Sequence, residues 1–278
     1  MLELYHKSCQ ECSKLVTNNY STSFSLGIKM FAQEFRTPIY NIYGFVRFAD
    51  EIVDTFHDFN KEDLINEFRK DTLAAIERGI SLNPILHSFQ QTVKRFNIDW
   101  HLIDAFLDSM IMDLYKSDFD RPQYEKYIYG SAEVVGLMCL KVFVDGDQAE
   151  YDRLSPSARK LGSAFQKINF LRDIKSDFQD RGRIYFPGLA YETFNCEEKV
   201  SIEDEIQAEF DEALIGIKQL PQGCKLGVYL AYKYYTRLLK KIKNCSASEV
   251  KERRIRVPDS RKMLLLGSSA IKYNLKAI

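Results

Sequence analysis

Neither sign of charge prevails in this chain of 278 residues: 39 lysines and arginines meet 39 aspartates and glutamates, and the pI is about 6.9. Without a basic stripe there is no footprint for a nucleic-acid partner. No uninterrupted apolar stretch approaches the length a membrane span needs. The first residues, MLELYHKSCQEC, lack an apolar run behind a basic start, so no secretory leader is expected. The six cysteines are scattered, and Cys9 and Cys12 form a lone CxxC with no second pair, too little for a zinc site. Reduced, mostly buried thiols in a cytoplasmic protein fit best. Gly/Ser-rich linkers, low-complexity tracts and internal repeats are also missing, so one domain over residues 1–278 is expected. Strand-like alternation is nearly absent, and the RIYF of Arg183–Phe186 is too short to decide anything.

What is present is helical punctuation. The chain is 45% hydrophobic and 28% charged, enough for an ample core. Thr37-Pro38, Asn83-Pro84 and Ser155-Pro156 each set a capping side chain before a proline suited to the first helical position. Asn60 with Asp63, and Ser201 with Asp204, read as capping pairs. Between these signals apolar residues recur at three and four. The pattern predicts helices over 3–18, 38–58, 61–79, 84–97, 99–118, 121–144, 156–180, 202–219, 224–244 and 260–276, an all-α fold.

Two of these helices carry acidic rows. From Gln166 to Pro187 the chain reads QKINFLRDIKSDFQDRGRIYFP. Gln166, Asn169, Asp173, Asp177 and Asp180 share one helical face, beside an apolar stripe of Ile168, Leu171, Ile174 and Phe178. In PIYNIYGFVRFADEIVDTFHD, Arg47, Asp50, Asp54 and Asp58 occupy one edge. Carboxylates four apart repel, and burying them uncompensated costs more. A hard dication such as magnesium removes that conflict, because it takes carboxylate oxygens while keeping waters and substrate phosphates. Asp104 and Asp108 have the same spacing with no such surroundings, and read as a solvated face. His6, His57, His87 and His101 show no mutual spacing for a metal site, and no catalytic role is expected of them.

Five ordered blocks resemble the squalene and phytoene synthases: YSTSFSLG (Tyr20–Gly27), YGFVRFADEIVD (Tyr43–Asp54), MDLYKSDF (Met112–Phe119), YIYGSAEVVGLM (Tyr127–Met138) and the second acidic helix through RIYFP. Glu133 stands where that family usually has a second glycine, and Lys175 and Ser176 replace its common glycine and glutamate. The resemblance implies an isoprenoid-synthase-type helical bundle with a central cavity. It implies magnesium, with manganese as a substitute, held by Asp50, Asp54, Asn169, Asp173 and Asp177; for Glu51 and Asp58, holding metal-bound water and lying as plain surface acids are both open. Ser21, Ser23, Phe24, Arg47, Gln166, Asn169, Arg172, Arg183 and Tyr185 would bind substrate, with Arg183 and Tyr185 closing over the leaving diphosphate. Tyr43 and Tyr129 would line the cavity beside the four aspartates.

The implied reaction joins two prenyl diphosphates head to head through a cyclopropylcarbinyl diphosphate. DEIVD and VVGLM look like the bacterial phytoene group, which favours two geranylgeranyl diphosphates giving phytoene, with no NADPH. Squalene or dehydrosqualene formation from farnesyl diphosphate stays open, as do a terpene cyclase, a head-to-tail elongase and a non-catalytic assembly factor. Elongases carry a denser aspartate cluster than DEIVD, and degenerate relatives tend to lose the acidic motifs that survive here. A shallow peripheral membrane contact suits so greasy a product; monomer and homodimer are both open.

Overall fold

The computed structural model describes residues 1–257 apart from 116. Twelve α-helices and one π-turn make up the described chain: α1 (Leu2–Tyr20), α2 (Thr22–Ile28), α3 (Gln33–Asp54), α4 (Lys61–Arg78), α5 (Pro84–Phe96), α6 (Trp100–Tyr115), α7 (Arg121–Ile128), the π-turn (Tyr129–Glu133), α8 (Val134–Phe143), α9 (Gln148–Arg181), α10 (Cys196–Ile217), α11 (Gln222–Lys243) and α12 (Ala247–Glu252). No strand occurs among the described residues, only an isolated parallel bridge between Asp118 and Ile184. The helix expected over 260–276 lies outside the described residues.

Several boundaries follow the caps read from sequence. Asn83 accepts from the amides of Ile85 and Leu86 with Pro84 behind it, and α5 stops at Asn97, whose φ of 50° is left-handed. Asn60 caps α4 through the amide of Asp63. Two prolines do not start helices, however. The third helix begins at Gln33 and runs through Pro38, and α9 begins at Gln148, capped by Asp147 through the amide of Glu150, and runs through Pro156. A proline forfeits one i−4 hydrogen bond, and burial of apolar side chains on both sides outweighs that loss: Ile39 and Leu154 are both buried. The third helix also stops at Asp54, so Asp58 lies off it and is exposed. Likewise α10 opens six residues before Ser201–Asp204 would place it, on a capping box of Asn195 and Glu198.

The apolar side chains gather into two clusters. One joins α3, α4, α5, α6 and α8, with Phe45 stacked on Phe89 at 4.0 Å. The other joins α7, α9, α10, α11 and α12 around Ile168, Leu171, Phe210 and Leu238. Between them the helices leave a cavity of about 760 Å³, whose walls take residues from both clusters, Phe31 and Phe143 from the first, Phe170 and Ile217 from the second. The control pair behaves as a solvated face should: Asp104 and Asp108 both reach Arg69 of α4 at the surface.

Two histidines that show no relation in sequence meet in space. The amide of Ser81 donates to His87 Nδ1 at 3.2 Å, so the proton of His87 sits on Nε2, 2.7 Å from His6 Nδ1. His6 Nδ1 also faces Gln91 Nε2 at 2.6 Å. Burial pushes the pKa of His87 below the free value of 6.5, and the neighbouring His6 adds to the shift. A depressed histidine binds fewer protons folded than unfolded, so its contribution is present above pH 6.5 and is lost as the pH falls below it. The melting-temperature advantage of the parent over a His87→Gln variant is therefore expected to shrink between about pH 7.5 and pH 5.5. An advantage that stays constant across that range would mean that His87 is not held neutral.

Candidate active site

The third helix and α9 bring the two acidic rows to one cavity. Asp50 and Asp54 line it from α3, with Arg47 and Tyr43 one and two turns before Asp50; Asp173 and Asp177 line it from α9, with Gln166, Asn169 and Arg172. The helical period explains why these side chains share a face while Ile168, Leu171 and Ile174 turn to the core. Asp180 and Asp58 are exposed and do not join them.

Asp50, Asp54 and Asp173 each have a cation at hand. The guanidinium of Arg47 lies 4.4 Å over the Tyr20 ring, 3.9 Å from Asp50 Oδ2, and pairs with Glu51, while its Nε has no hydrogen-bond partner. Glu51 is thus an ion-pair partner of Arg47. On the other wall two arginines hold Asp173: Arg172 Nε at 2.9 Å and Nη2 at 2.5 Å, Arg254 Nε at 2.6 Å and Nη2 at 3.1 Å. Burial disfavours the Arg172 charge, but Asp173 more than offsets it and raises its pKa. The Tyr235 hydroxyl donates to Asn169 Oδ1 at 3.3 Å and so orients that amide.

Ser21 both lines the cavity and caps α2, accepting from the amide of Phe24, whose ring stacks on Tyr43 at 4.8 Å. Burial raises the pKa of Tyr43, with Arg47 opposing, so its hydroxyl stays protonated in the wall. Ser23 falls in α2, and its side chain lies outside what the structure describes.

Two expected residues stand elsewhere. Tyr129 does not line the cavity. It sits two residues from Tyr127 and two from Ser131, both of which do, and that spacing carries it to the far side, under the guanidinium of Arg159 at 5.2 Å. Glu133 joins it there, accepting from Arg159 Nε at 2.5 Å, which gives a surface partner to the residue that replaces the family glycine. Arg183 is buried behind the lining rather than over the opening, whereas Tyr185 does line the cavity.

Two charged lining residues escaped the sequence reading. Arg254 follows α12 in a stretch with no motif; buried Ile255 and Val257 alternate with it and are its one local signal. Asp113 lay inside the MDLYKSDF block without a role assigned to it. It is 7% exposed, accepts from Tyr127 at 2.7 Å and Tyr185 at 3.2 Å, and burial lifts its pKa to about 6.

The donors on both walls are oxygens alone, the chemistry that suits magnesium. Among the described residues no three acidic, imidazole or thiol side chains converge on a single point. The set therefore fits dications that keep part of their coordination for water and a diphosphate, and not a closed all-protein cage. Arg47, Arg172 and Arg254 add the positive rim that a diphosphate needs. Away from this polar end the lining is largely apolar, and Ala132, Gly136, Ala158 and Gly162 are its small members. The arrangement can hold a diphosphate at one end and a long hydrocarbon behind it.

A sequence profile of the squalene/phytoene synthase family matches residues 17–261. The chain is 27% identical over 214 residues to the 4,4'-diapophytoene synthase of Staphylococcus haemolyticus (strain JCSC1435), 75% of this chain and 70% of that one. It is 26% identical over 258 residues to the chloroplastic phytoene synthase 2 of Solanum lycopersicum, 86% of this chain and 81% of the relative. A crystal structure of a dehydrosqualene synthase with a ligand superposes with a TM-score of 0.82 at 22% identity, across 98% of each chain, and so has the same fold.

Proposed function

Since the chain belongs to the squalene/phytoene synthase family, whose reaction joins two prenyl diphosphates head to head, we propose that it converts two geranylgeranyl diphosphates to phytoene. The observation that carries this reading is the pair of acidic helices lining one long apolar cavity. DEIVD and VVGLM, and the likeness to the tomato phytoene synthase, support the C20 substrate.

In this reading the first diphosphate leaves its allylic carbon and the double bond of the second molecule attacks the cation. Closure of the cyclopropane ring releases one proton and gives a cyclopropylcarbinyl diphosphate, which loses its diphosphate in turn, rearranges and gives up a second proton. Magnesium, or manganese in its place, would supply positive charge for binding and departure of the diphosphate, held by Asp50, Asp54, Asn169, Asp173 and Asp177. Arg47 offers its unpartnered Nε to a phosphate oxygen. Phe24, Tyr43 and Phe165 line the cavity and would shelter the developing cation. The apolar walls keep water from quenching it. Loss of a proton needs no reductant, so NADPH is not expected to alter the product.

A second reading, condensation of two farnesyl diphosphates, is favoured by the likeness to the S. haemolyticus enzyme. The protein would work in the cytoplasm, touching a membrane shallowly to unload its product; no helix among the described residues is long and apolar enough to cross one. Purified protein with magnesium should turn geranylgeranyl diphosphate into phytoene, identified by mass, equally with and without NADPH. It should not elongate isopentenyl diphosphate. Faster turnover of farnesyl diphosphate would select the second reading, and no hydrocarbon from either would leave a non-catalytic role.

A further inference from the structure

At the end of α3 remote from the acids, the cavity meets an aromatic pair. Phe31, just before α3, and Phe143, at the end of α8, both line it, and their rings meet edge to face at 5.1 Å. Phe35 backs Phe143 at 5.9 Å. Fifteen residues of α3 separate Phe35 from Asp50, about 22 Å at the helical rise, so the pair stands far from the acidic rows. The backbone around Phe31 is held on both sides. Its amide donates to the Ile28 carbonyl at 3.0 Å, Arg36 Nε donates to its carbonyl at 2.8 Å, and the next amide, Ala32, donates to the Gly223 carbonyl at 2.8 Å. Gly227 of α11 closes the other flank of the ring. A methyl added there would lie 2.2 Å from Phe31 Cε1 and 3.0 Å from the Gly27 carbonyl oxygen, so the ring has no room to retreat toward α11.

A hydrocarbon whose diphosphate is held between the acidic rows has to run toward this pair. We propose that Phe31, kept in place by Gly227, sets the chain length that the protein accepts: its ring is the stop against which the tail of a prenyl diphosphate ends. The inference rests on the prenyl diphosphate reading above and adds the means by which one length is told from the next. Successive prenyl diphosphates differ by one isoprene unit, roughly as long as one helical turn. A fixed ring rejects the longer tail, because a close-packed wall yields only by giving up its own contacts. A tail one unit shorter falls short of the ring and leaves apolar surface unburied.

The test is calorimetric binding of farnesyl, geranylgeranyl and geranylfarnesyl thiolodiphosphates, whose allylic carbon–sulfur bonds resist ionisation, to the full chain with magnesium. Phe31→Leu shortens the stop. It is expected to raise the affinity for the analogue one unit longer than the parent prefers by roughly tenfold or more relative to the preferred one, the scale of a misfit in an apolar pocket. Gly227→Ala drives the ring toward the lumen and is expected to move the preference as far toward the shorter analogue. In the double variant the added methyl takes space the ring has left, and the ratio should return to within about threefold of the parent, a coupling that independent sites would not show. Thermal melting checks that each variant is folded. Should Gly227→Ala fail to fold, Phe31→Leu and Phe31→Ala decide, the second moving the preference further than the first. An unchanged ratio in Phe31→Leu, or an equal loss of affinity for every analogue, would overturn the inference, as would a parent that binds none of them. A parent that binds the analogues yet forms no hydrocarbon from the diphosphates sinks the condensation reading alone, and the affinity ratios still decide this one.

Discussion

Asp54→Asn is expected to lower hydrocarbon formation by roughly 10²–10³-fold, the scale of removing one charge-stabilising group from a preorganised site. The fold should hardly notice. Arg183 retains Asp113 and Tyr185 as partners, and the Asp54 side chain is still 22% exposed to the cavity. A partly exposed ion contributes at most about 1 kcal/mol, so the melting temperature should move little. Loss of turnover with retained stability is the signature of a carboxylate that handles diphosphate. It also discriminates against a family member that serves only as an assembly factor, because such a protein would keep its cellular role with Asp54 replaced. Steady-state product formation alongside thermal melting checks both halves, and a loss under about fivefold would remove Asp54 from the chemistry.

Phe45→Ala should do the opposite, costing about 3–5 kcal/mol of stability. Phe45 is fully buried and meets three rings: Phe89 at 4.0 Å and nearly parallel, Phe68 at 5.5 Å and Phe106 at 5.5 Å. Those rings belong to α5, α4 and α6, so one side chain ties α3 to three neighbours. Truncation leaves a hole that none of the three can fill without breaking its own contacts. For a chain of this size the loss corresponds to a fall in melting temperature of roughly ten degrees. Turnover should suffer as well, since the same helix carries Asp50 and Asp54, and small misplacements of catalytic groups are expensive. Phe59→Ala, at a residue 67% exposed, is the control and should change stability by less than about 0.5 kcal/mol. A Phe45→Ala protein as stable as that control would displace Phe45 from the centre of the packing.

What the sequence made legible and what it hid follow one division. Caps and apolar periods are local, so α4 and α5 could be placed from Asn60 and Asn83 almost to the residue. Prolines mislead because their local preference for a helix start competes with packing that only the folded chain reveals, as at Pro38 and Pro156. The four aspartates were legible because a carboxylate row beside an apolar stripe is a pattern along one helix. Asp113 and Arg254 were not, because their meaning lies in partners far along the chain: Arg183 is 70 residues from Asp113, and Arg254 is 81 from Asp173. His6 and His87, also 81 apart, were unreadable for the same reason. Tyr129 shows the reverse hazard: a residue in register with a family block still depends on which way its turn of helix points.

That turn has a consequence for how the chain can change. Between Tyr129 and Glu133 the backbone makes one wide turn, and Gly130 there presses so near α6 that an added methyl would sit 2.5 Å from the Ala105 carbonyl. A wide turn of this kind amounts to one surplus residue in an otherwise regular helix. Deleting that surplus residue would let the helix close evenly with i→i+4 hydrogen bonds while the turns on either side kept their faces, so Val135, Gly136 and Cys139 would stay on the cavity wall. Deleting a residue from the regular turns of α8 would instead rotate everything beyond it by about 100°. A codon lost at the wide turn is thus tolerable where the same loss one turn later would misalign the wall.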